Sequence, residues 1–277
     1  MPTPLRLLVF LAALATPAIG ATQPATGVAA PGYADLTDLV LAAPVIGDAV
    51  VRSTTRLKSK DVANVPAGLV RLYVEAEVRQ LIRGADGLPP RVGYLLDVRP
   101  DLRGKLPSLK KARVLLFARP TPVAGQLQLV SPDAQLRWLP DVDAQVRAIV
   151  REALSADAAP RVTGVGNAFH VAGALPGEGE TQVFLQTADN RPISLIVLRR
   201  PGERPRWAVA LSEIVDEAAA PPPRDTLLWY RLACSLPAAL PALSTAELAP
   251  ADTVKAQEDY RYVLAQLGAC GRSGTSG

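Results

Sequence analysis

The sequence has few of the residues that usually carry catalytic or metal chemistry. Its 277 residues include one histidine, His170, and two cysteines, Cys234 and Cys270. These cannot complete the usual zinc ligand sets, and no His-Glu-x-x-His motif occurs. A Ser-His-Asp or Cys-His group would have to use His170, which falls inside a predicted strand, and there is no Gly-x-Ser-x-Gly motif. The sequence therefore predicts no metal, no cofactor and no recognisable catalytic site.

Aromatic residues, net charge and long apolar segments are also limited. Aromatics make up 5% of the chain, which argues against a stacking platform for carbohydrates. The formal net charge is +4, too small to draw a chain of this length strongly toward nucleic acid, so no nucleic-acid partner is expected. No segment after residue 20 reaches the length of an apolar membrane span, so the mature protein is expected to lack a transmembrane segment.

The N-terminus has the pattern of a secretory signal peptide. Arg6 precedes an apolar run, Leu7 to Ala15, and small residues follow up to Gly20. We expect residues 1–20 to be cleaved near Gly20 and the mature protein to be periplasmic or secreted. Residues 21–35 then form a flexible lead-in, because most of them are small and show no hydrophobic pattern.

Residues 36–140 are predicted to form a β-barrel-like module. The clearest strand is Leu69 to Ile82, where apolar and polar residues alternate at the period of a half-buried strand. Further strands are expected at 45–55, 92–98, 113–119 and 126–130. Turn residues separate these segments, and four or five strands joined in this way indicate a small barrel or sandwich.

The second half of the chain predicts helices and another β region. Within residues 141–217 a helix begins at Asp141, because its apolar residues recur at helical spacing. An antiparallel meander follows, with strands at 162–171, 181–187, 193–199 and 206–212. Residues 224–270 are expected to hold a helical pair, and residues 271–277 a frayed tail. The fold class is thus α+β: an N-terminal OB-like β-barrel, a central antiparallel β meander and a C-terminal helical pair.

The two cysteines are expected to form a disulfide, Cys234–Cys270, because the chain has an export signal and an even cysteine count. Two buried free thiols are the alternative. Cys234 lies late in the first helix of the predicted pair, and Cys270 lies just past the second. A disulfide therefore requires that the two helices cross or run roughly parallel, since a tight antiparallel hairpin would separate these ends.

The first half also resembles a known group of secreted modules. The segments that carry the resemblance are DLV at 38–40, LIRG at 81–84, ARVLLFAR at 112–119 and QLQLV at 126–130. Residues 36–140 resemble secreted OB-type barrels, of which the netrin-like modules, including tissue inhibitors of metalloproteinases, are the nearest named. The resemblance implies the barrel. In those inhibitors a disulfide-tethered N-terminal cysteine contacts the zinc of the target, and this chain has no cysteine in its first half, so that mechanism does not carry over.

Eight basic residues fall into two clusters that could form one patch at an end of the barrel. They are Arg52, Arg56, Lys58 and Lys60 in the first cluster, and Lys105, Lys110, Lys111 and Arg113 in the second. Solvated loops are the simpler interpretation of such clusters. If the patch binds a partner, an exported protein would meet an envelope protein or an anionic envelope polymer.

Together these features predict a non-catalytic binding or inhibitor-like module that acts on another envelope macromolecule. A periplasmic hydrolase with an unrecognised site is one alternative, and a structural or assembly factor is another. The hydrolase would be favoured if His170 lay buried beside an acid and a hydroxyl group. The binding module would be favoured by an exposed apolar or basic patch without a deep polar pocket.

Overall fold

The computed structural model describes residues 31–58, 64–211 and 219–273. The elements in these ranges are α1 (Tyr33–Ala42), β1 (Val45–Arg56), β2 (Val70–Arg83), β3 (Arg91–Val98), β4 (Arg113–Pro120), β5 (Gln126–Leu129), β6 (Gln135–Arg137), α2 (Pro140–Ala153), β7 (Val162–Ala172), β8 (Gly179–Thr187), β9 (Ile193–Arg199), β10 (Arg206–Ala210), α3 (Leu227–Ala233), a 3₁₀ helix (Ala242–Thr245) and α4 (Pro250–Leu267). The expected signal peptide, most of the lead-in, Lys60 and residues 274–277 of the expected tail lie outside the described residues.

The first five strands close into a barrel. β1, β2 and β3 form an antiparallel meander, β3 pairs in parallel with β5, β5 pairs with β4, and β4 returns to β1. Closure pairs the backbone groups that an open sheet would leave at its edges. β6 adds to the stretch of β4 that β5 leaves unpaired. The mixed α+β class and the barrel predicted from the sequence are confirmed.

The alternation in β2 explains how this segment becomes a barrel wall. Leu72, Val74 and Ala76 are buried, whereas Glu75 between them is exposed. Successive side chains of a strand point to opposite faces, so the apolar set lies inside the barrel. The barrel core also includes Val51, Tyr94 and Leu116 from three other strands.

β7 to β10 form a second antiparallel sheet in which the strands lie side by side in sequential order. β8 shows the same alternation as β2, since every second residue from Gly179 to Thr187 is buried. The buried face of this sheet packs against the helices. Its hydrophobic core also includes residues of β1 and β4 that point out of the barrel, such as Ile46 and Phe117. From Pro31 onward the chain forms one compact unit.

The disulfide predicted from the cysteine count is confirmed. Cys234 caps the C-terminus of α3, Cys270 follows α4, and their Cα atoms are 4.9 Å apart. The C-terminal ends of the two helices therefore meet, which a tight antiparallel hairpin could not achieve. The indole N–H of Trp229 in α3 also donates to the carbonyl of Leu267 at 2.9 Å and joins the same two ends.

Three local features differ from the sequence predictions. α1 begins at Tyr33, so the end of the expected lead-in is helical, and α2 begins at Pro140, whose fixed φ suits the first helical position. The start of the expected frayed tail is held: Arg272 donates to both carboxylate oxygens of Asp38 at 2.6 and 3.0 Å. None of the helices in the described ranges is long and apolar enough to cross a membrane.

Candidate functional site

A groove of about 630 Å³ opens beside the first residues of β4. Its walls come from the end of the β3–β4 connection, the start of β4, and β6 with the residue that follows it. We call it the basic groove, and its polar lining consists chiefly of Lys110, Lys111, Arg113, Gln135, Arg137 and Trp138. The lining contains four cationic side chains and no carboxylate.

Backbone hydrogen bonds fix Lys111, and with it the end of the β3–β4 connection, against β1. The N–H of Lys111 donates to the carbonyl of Val51 at 2.8 Å, and the N–H of Val51 donates to the carbonyl of Ala112 at 2.9 Å. Lys111 has φ of +68°, a left-handed conformation that is uncommon for residues other than glycine. These hydrogen bonds hold the strained residue at the groove wall, with both lysine side chains exposed.

Arg113 connects the groove to the barrel wall. Its guanidinium donates to both carboxylate oxygens of Asp48, from Nε at 3.0 Å and from Nη2 at 2.7 Å. These hydrogen bonds raise the pKa of Arg113 above its usual value. The same guanidinium lies 3.5 Å from the centre of the Trp138 ring, a cation–π contact. Arg113 is therefore held on two sides, and its charge is offset by a buried acid.

The other three cations of the groove are not offset in this way. Lys110, Lys111 and Arg137 have no carboxylate partner in the part of the chain that the structure describes. Their positive charge is therefore directed to solvent or to whatever enters the groove. Several unpaired charges of one sign along one groove raise the local concentration of ions of the opposite sign.

Gln135 contributes hydrogen-bond donors to the groove. Its Oε1 accepts from the hydroxyl of Tyr94 at 2.5 Å, and its side-chain amide N–H groups have no hydrogen-bond partner within the described ranges. Burial raises the pKa of Tyr94 far above its usual value, so the hydroxyl stays protonated and remains a donor. The groove can thus offer amide and cationic donors, a set suited to oxygen acceptors that carry negative charge.

The structure places the remaining basic residues predicted from the sequence outside the groove. Arg52 adjoins Val51 but forms a salt bridge with Glu77 at 2.8 Å. Arg56, at the end of β1, lines a separate groove of about 380 Å³. Lys58 and Lys105 are exposed and do not line the basic groove, and Lys60 lies outside the described residues. Of the two clusters, only Lys110, Lys111 and Arg113 meet in one groove.

Three residues of the groove were not among those predicted from the sequence: Gln135, Arg137 and Trp138. They belong to β6 or follow it directly, and β6 is only three residues long. A strand of this length is too short to show alternation. The one sequence feature that could have indicated them is the neighbouring pair Arg137 and Trp138, which lies between the turn at 131–134 and the start of α2.

His170 lies beside an acid and a hydroxyl, but in an order that does not suit catalysis. Its Nδ1 is 2.8 Å from Oγ1 of Thr181, and that hydroxyl in turn donates to Asp259 at 2.5 Å. A catalytic triad places the imidazole between hydroxyl and carboxylate. Here the hydroxyl lies between them, and Thr181 is fully buried, out of reach of a substrate. Arg199 completes the network by pairing with Asp259. The arrangement satisfies buried polar groups between the second sheet and α4.

The structure offers no metal site in the ranges it describes, since no three His, Cys, Asp or Glu side chains are grouped to hold an ion there. No protein-family model matches the chain, and no curated protein matches it. What the site does must therefore be inferred from its own geometry.

Proposed function

We propose that the protein is an exported, non-catalytic binding module that holds an anionic polymer of the cell envelope in the basic groove. The observation that carries this proposal is the presence of Lys110, Lys111 and Arg137 in one groove, where none of them has an acidic partner among the described residues. Unpaired cations in an open groove suit a negatively charged partner.

The size of the groove favours part of a larger molecule over a single small anion. A volume of about 630 Å³ is in the range of sites that hold drug-sized ligands, far larger than one phosphate or carboxylate group. A polymer with a repeated negative charge would contact the separate cations at once. Each contact would then increase the effective concentration for the next.

We infer that the barrel is of the OB type. The strand order β1-β2-β3-β5-β4, closed by β1 with β4 and with β3 parallel to β5, supports this assignment. A closed barrel is a rigid support, so the connection that carries Lys110 and Lys111 has a fixed wall behind it. Binding residues on a loop held by a rigid scaffold are common in proteins.

Export to the periplasm or beyond forms part of the proposal. The N-terminal signal pattern and the Cys234–Cys270 disulfide both support it, because disulfides persist in oxidising compartments. Fractionation followed by intact mass measurement tests this step. The expected product begins at Ala21 and takes up no alkylating reagent unless it is first reduced. Recovery in the cytoplasm with residues 1–20 attached would overturn it.

The binding step is tested with polymers of known chemistry. Fluorescently labelled polyphosphate and polyglutamate are titrated with the processed protein at increasing salt, and neutral dextran serves as the uncharged polymer. We expect binding to at least one anionic polymer, with an affinity that falls as salt rises because exposed charges are screened. No binding to dextran is expected.

A matched pair of variants locates the contact. Lys111→Gln with Arg137→Gln removes two charges from the groove, and Arg200→Gln with Arg204→Gln removes two exposed charges from the turn after β9. We expect the groove variant to bind about tenfold more weakly, from the loss of two charge-assisted contacts, and the control to change little. Equal affinity for the two variants, or no binding by the wild type, would overturn the proposal.

A further inference from the structure

The outer face of the second sheet carries exposed apolar side chains. Four of them, each between 39% and 68% exposed, are Phe169 and Val171 of β7, Phe184 of β8 and Leu198 of β9. The rings of Phe169 and Phe184 meet edge to face, with their centres 5.9 Å apart. Large apolar side chains that gather on one exposed face are typical of a surface that binds a partner.

An acid and a base lie on either side of Leu198 in one row of this face. Glu180 of β8 pairs with Leu198, and Leu198 pairs with Arg206 of β10. Side chains paired across antiparallel strands share a face. Glu180 has no salt-bridge partner among the described residues, and within the same ranges Arg206 has only Glu203, at 3.7 Å, with 75% of the Arg206 side chain exposed. Both charges are therefore accessible to another molecule.

The row continues to an apolar group at each edge of the sheet. At one edge, Val171 of β7 pairs with Glu180. At the other edge, the N–H of Val209 in β10 donates to the carbonyl of Ala220 at 3.3 Å, so Ala220 and the next residue, Pro221, lie beside β10, and both are exposed. From edge to edge the order is apolar, acidic, leucine, basic, apolar.

This order is self-complementary under a two-fold rotation. If two copies meet face to face about an axis along β9, β8 of each copy lies opposite β10 of the other. Glu180 then faces Arg206 of the second copy, Arg206 faces its Glu180, and the two Leu198 side chains meet at the axis. The apolar edges also come together, β7 of one copy against the edge beside β10 of the other. Sheets pack in this way with nearly aligned strands about 10 Å apart, and a patch that contacts its own counterpart is the usual interface of two-fold dimers.

We propose that this face is the contact surface of a homodimer, and we call it the dimer face: Phe169, Val171, Glu180, Phe184, Leu198 and Arg206. The charge pattern identifies the partner as a second copy, because an acid and a base stand at equal distances from the central leucine and each fits the other. The dimer face belongs to the second sheet and does not depend on the basic groove of the barrel.

The size of the dimer face predicts a weak, reversible dimer. Strands lie about 4.8 Å apart and alternate residues about 6.8 Å apart, so five columns and three rows cover roughly 24 by 20 Å, or about 480 Å². Stable interfaces bury about 800 Å² on each partner. The dimer should therefore form at high protein concentration and dissociate on dilution.

Sedimentation equilibrium of the processed, disulfide-bonded protein measures the association without any polymer present. Over a concentration series that reaches the millimolar range, we expect the molar mass to rise from that of a monomer toward twice this value. A wild type that stays monomeric throughout would overturn the proposal, whether the face is covered by a segment of its own chain or by nothing. A monomeric wild type that instead sediments with phosphatidylcholine vesicles would assign the face to lipid, and the proposal would again be wrong.

Charge reversal tests the pairing of Glu180 with Arg206. Glu180→Arg leaves two bases on the dimer face and Arg206→Glu leaves two acids, so in either homodimer like charges meet. We expect each single variant to self-associate at least tenfold more weakly than wild type. The double variant, which carries both changes in one chain, should dimerise about as well as wild type because opposite charges again face each other.

An equimolar mixture of the two single variants gives the sharpest result. Each should be mostly monomeric alone, yet the mixture should form a heterodimer, since one copy supplies both bases and the other both acids. The matched control reverses two exposed charges of the barrel, Arg79→Glu and Asp86→Arg, and should dimerise as wild type does. Single variants that associate as strongly as wild type, or a mixture that stays monomeric, would overturn the proposed geometry.

Discussion

The carboxylate of Asp48 in β1 and the guanidinium of Arg113 in β4 form a bidentate ion pair, and of the two side chains only Arg113 reaches solvent. The side chain of Asp48 is 1% exposed and that of Arg113 is 40% exposed. The buried acid fixes the cation, and the cation in turn packs on Trp138 at the wall of the basic groove. The position of the groove wall at Arg113 and Trp138 therefore depends on the buried carboxylate of Asp48.

Removing the cation should destabilise the protein through the acid it leaves behind. Arg113→Gln leaves the buried carboxylate of Asp48 without its charged partner, which should lower the free energy of unfolding by about 2 kcal/mol. Urea unfolding measures the change. In the double variant with Asp48→Asn the loss should be smaller than the sum of the two single losses, because the two residues interact directly. Strict additivity would show that the ion pair does not contribute as the structure indicates.

Gly93 in β3 is required by a close approach of Tyr73. A Cβ atom at Gly93 would lie 2.1 Å from the hydroxyl oxygen of Tyr73, whose position is also fixed by a hydrogen bond from Gln126 at 2.8 Å. Gly93→Ala should therefore cost about 2 kcal/mol, the usual effect of overpacking. Adding Tyr73→Ala to Gly93→Ala should remove most of the clash. If Gly93→Ala is as stable as wild type in urea, the tyrosine ring does not occupy this position.

The strands of the barrel could be predicted because their information is local. Residues 69–82 alternate between apolar and polar, and this alternation alone determines which side chains face the core. The disulfide could be predicted from the even cysteine count together with an N-terminal pattern typical of a signal peptide. Both predictions needed no knowledge of which distant segments come together.

The basic groove could be predicted only in part because it depends on contacts between distant segments. Asp48 and Arg113 are 65 positions apart, and Arg113 meets Trp138 only because β6 pairs with β4. Grouping basic residues that are close in sequence identifies Lys110, Lys111 and Arg113. It also includes Arg52, whose charge is balanced by Glu77. The sequence did contain one usable sign, a lone aspartate within the otherwise apolar start of β1. Such an acid predicts a cationic partner but does not say which one.

The disulfide should contribute strongly to stability. Cys234 and Cys270 are separated by 36 positions, and closing a loop of this length stabilises the folded state by about 4 kcal/mol in the chain-entropy model. The variant Cys234→Ser with Cys270→Ser should show this loss in urea unfolding. Wild type treated with reductant should approach the same midpoint, whereas the variant should not respond to reductant. A variant as stable as oxidised wild type would contradict the expectation.

Acid should weaken the fold through Asp97. Arg71 donates to both of its carboxylate oxygens at 2.7 and 2.8 Å, and these hydrogen bonds lower the pKa of Asp97 below its usual 3.8. The pKa of Asp97 is lower in the folded state than in the unfolded state. The Arg71–Asp97 pair therefore stabilises the fold at pH values above 3.8, and this contribution is lost as the pH falls through the lowered pKa.

Asp97→Asn should therefore lower the free energy of unfolding by about 1 kcal/mol near neutral pH, allowing for solvent screening. The difference between variant and wild type should shrink as the pH falls below about 4. Asp189→Asn is the control. Asp189 also forms an ion pair with an arginine, Arg191, but this pair lies in a surface turn and both of its side chains are almost half exposed. Its effect on stability should be small. Urea unfolding across the acid range measures both variants, and a difference between Asp97→Asn and wild type that stays constant down to low pH would contradict the linkage.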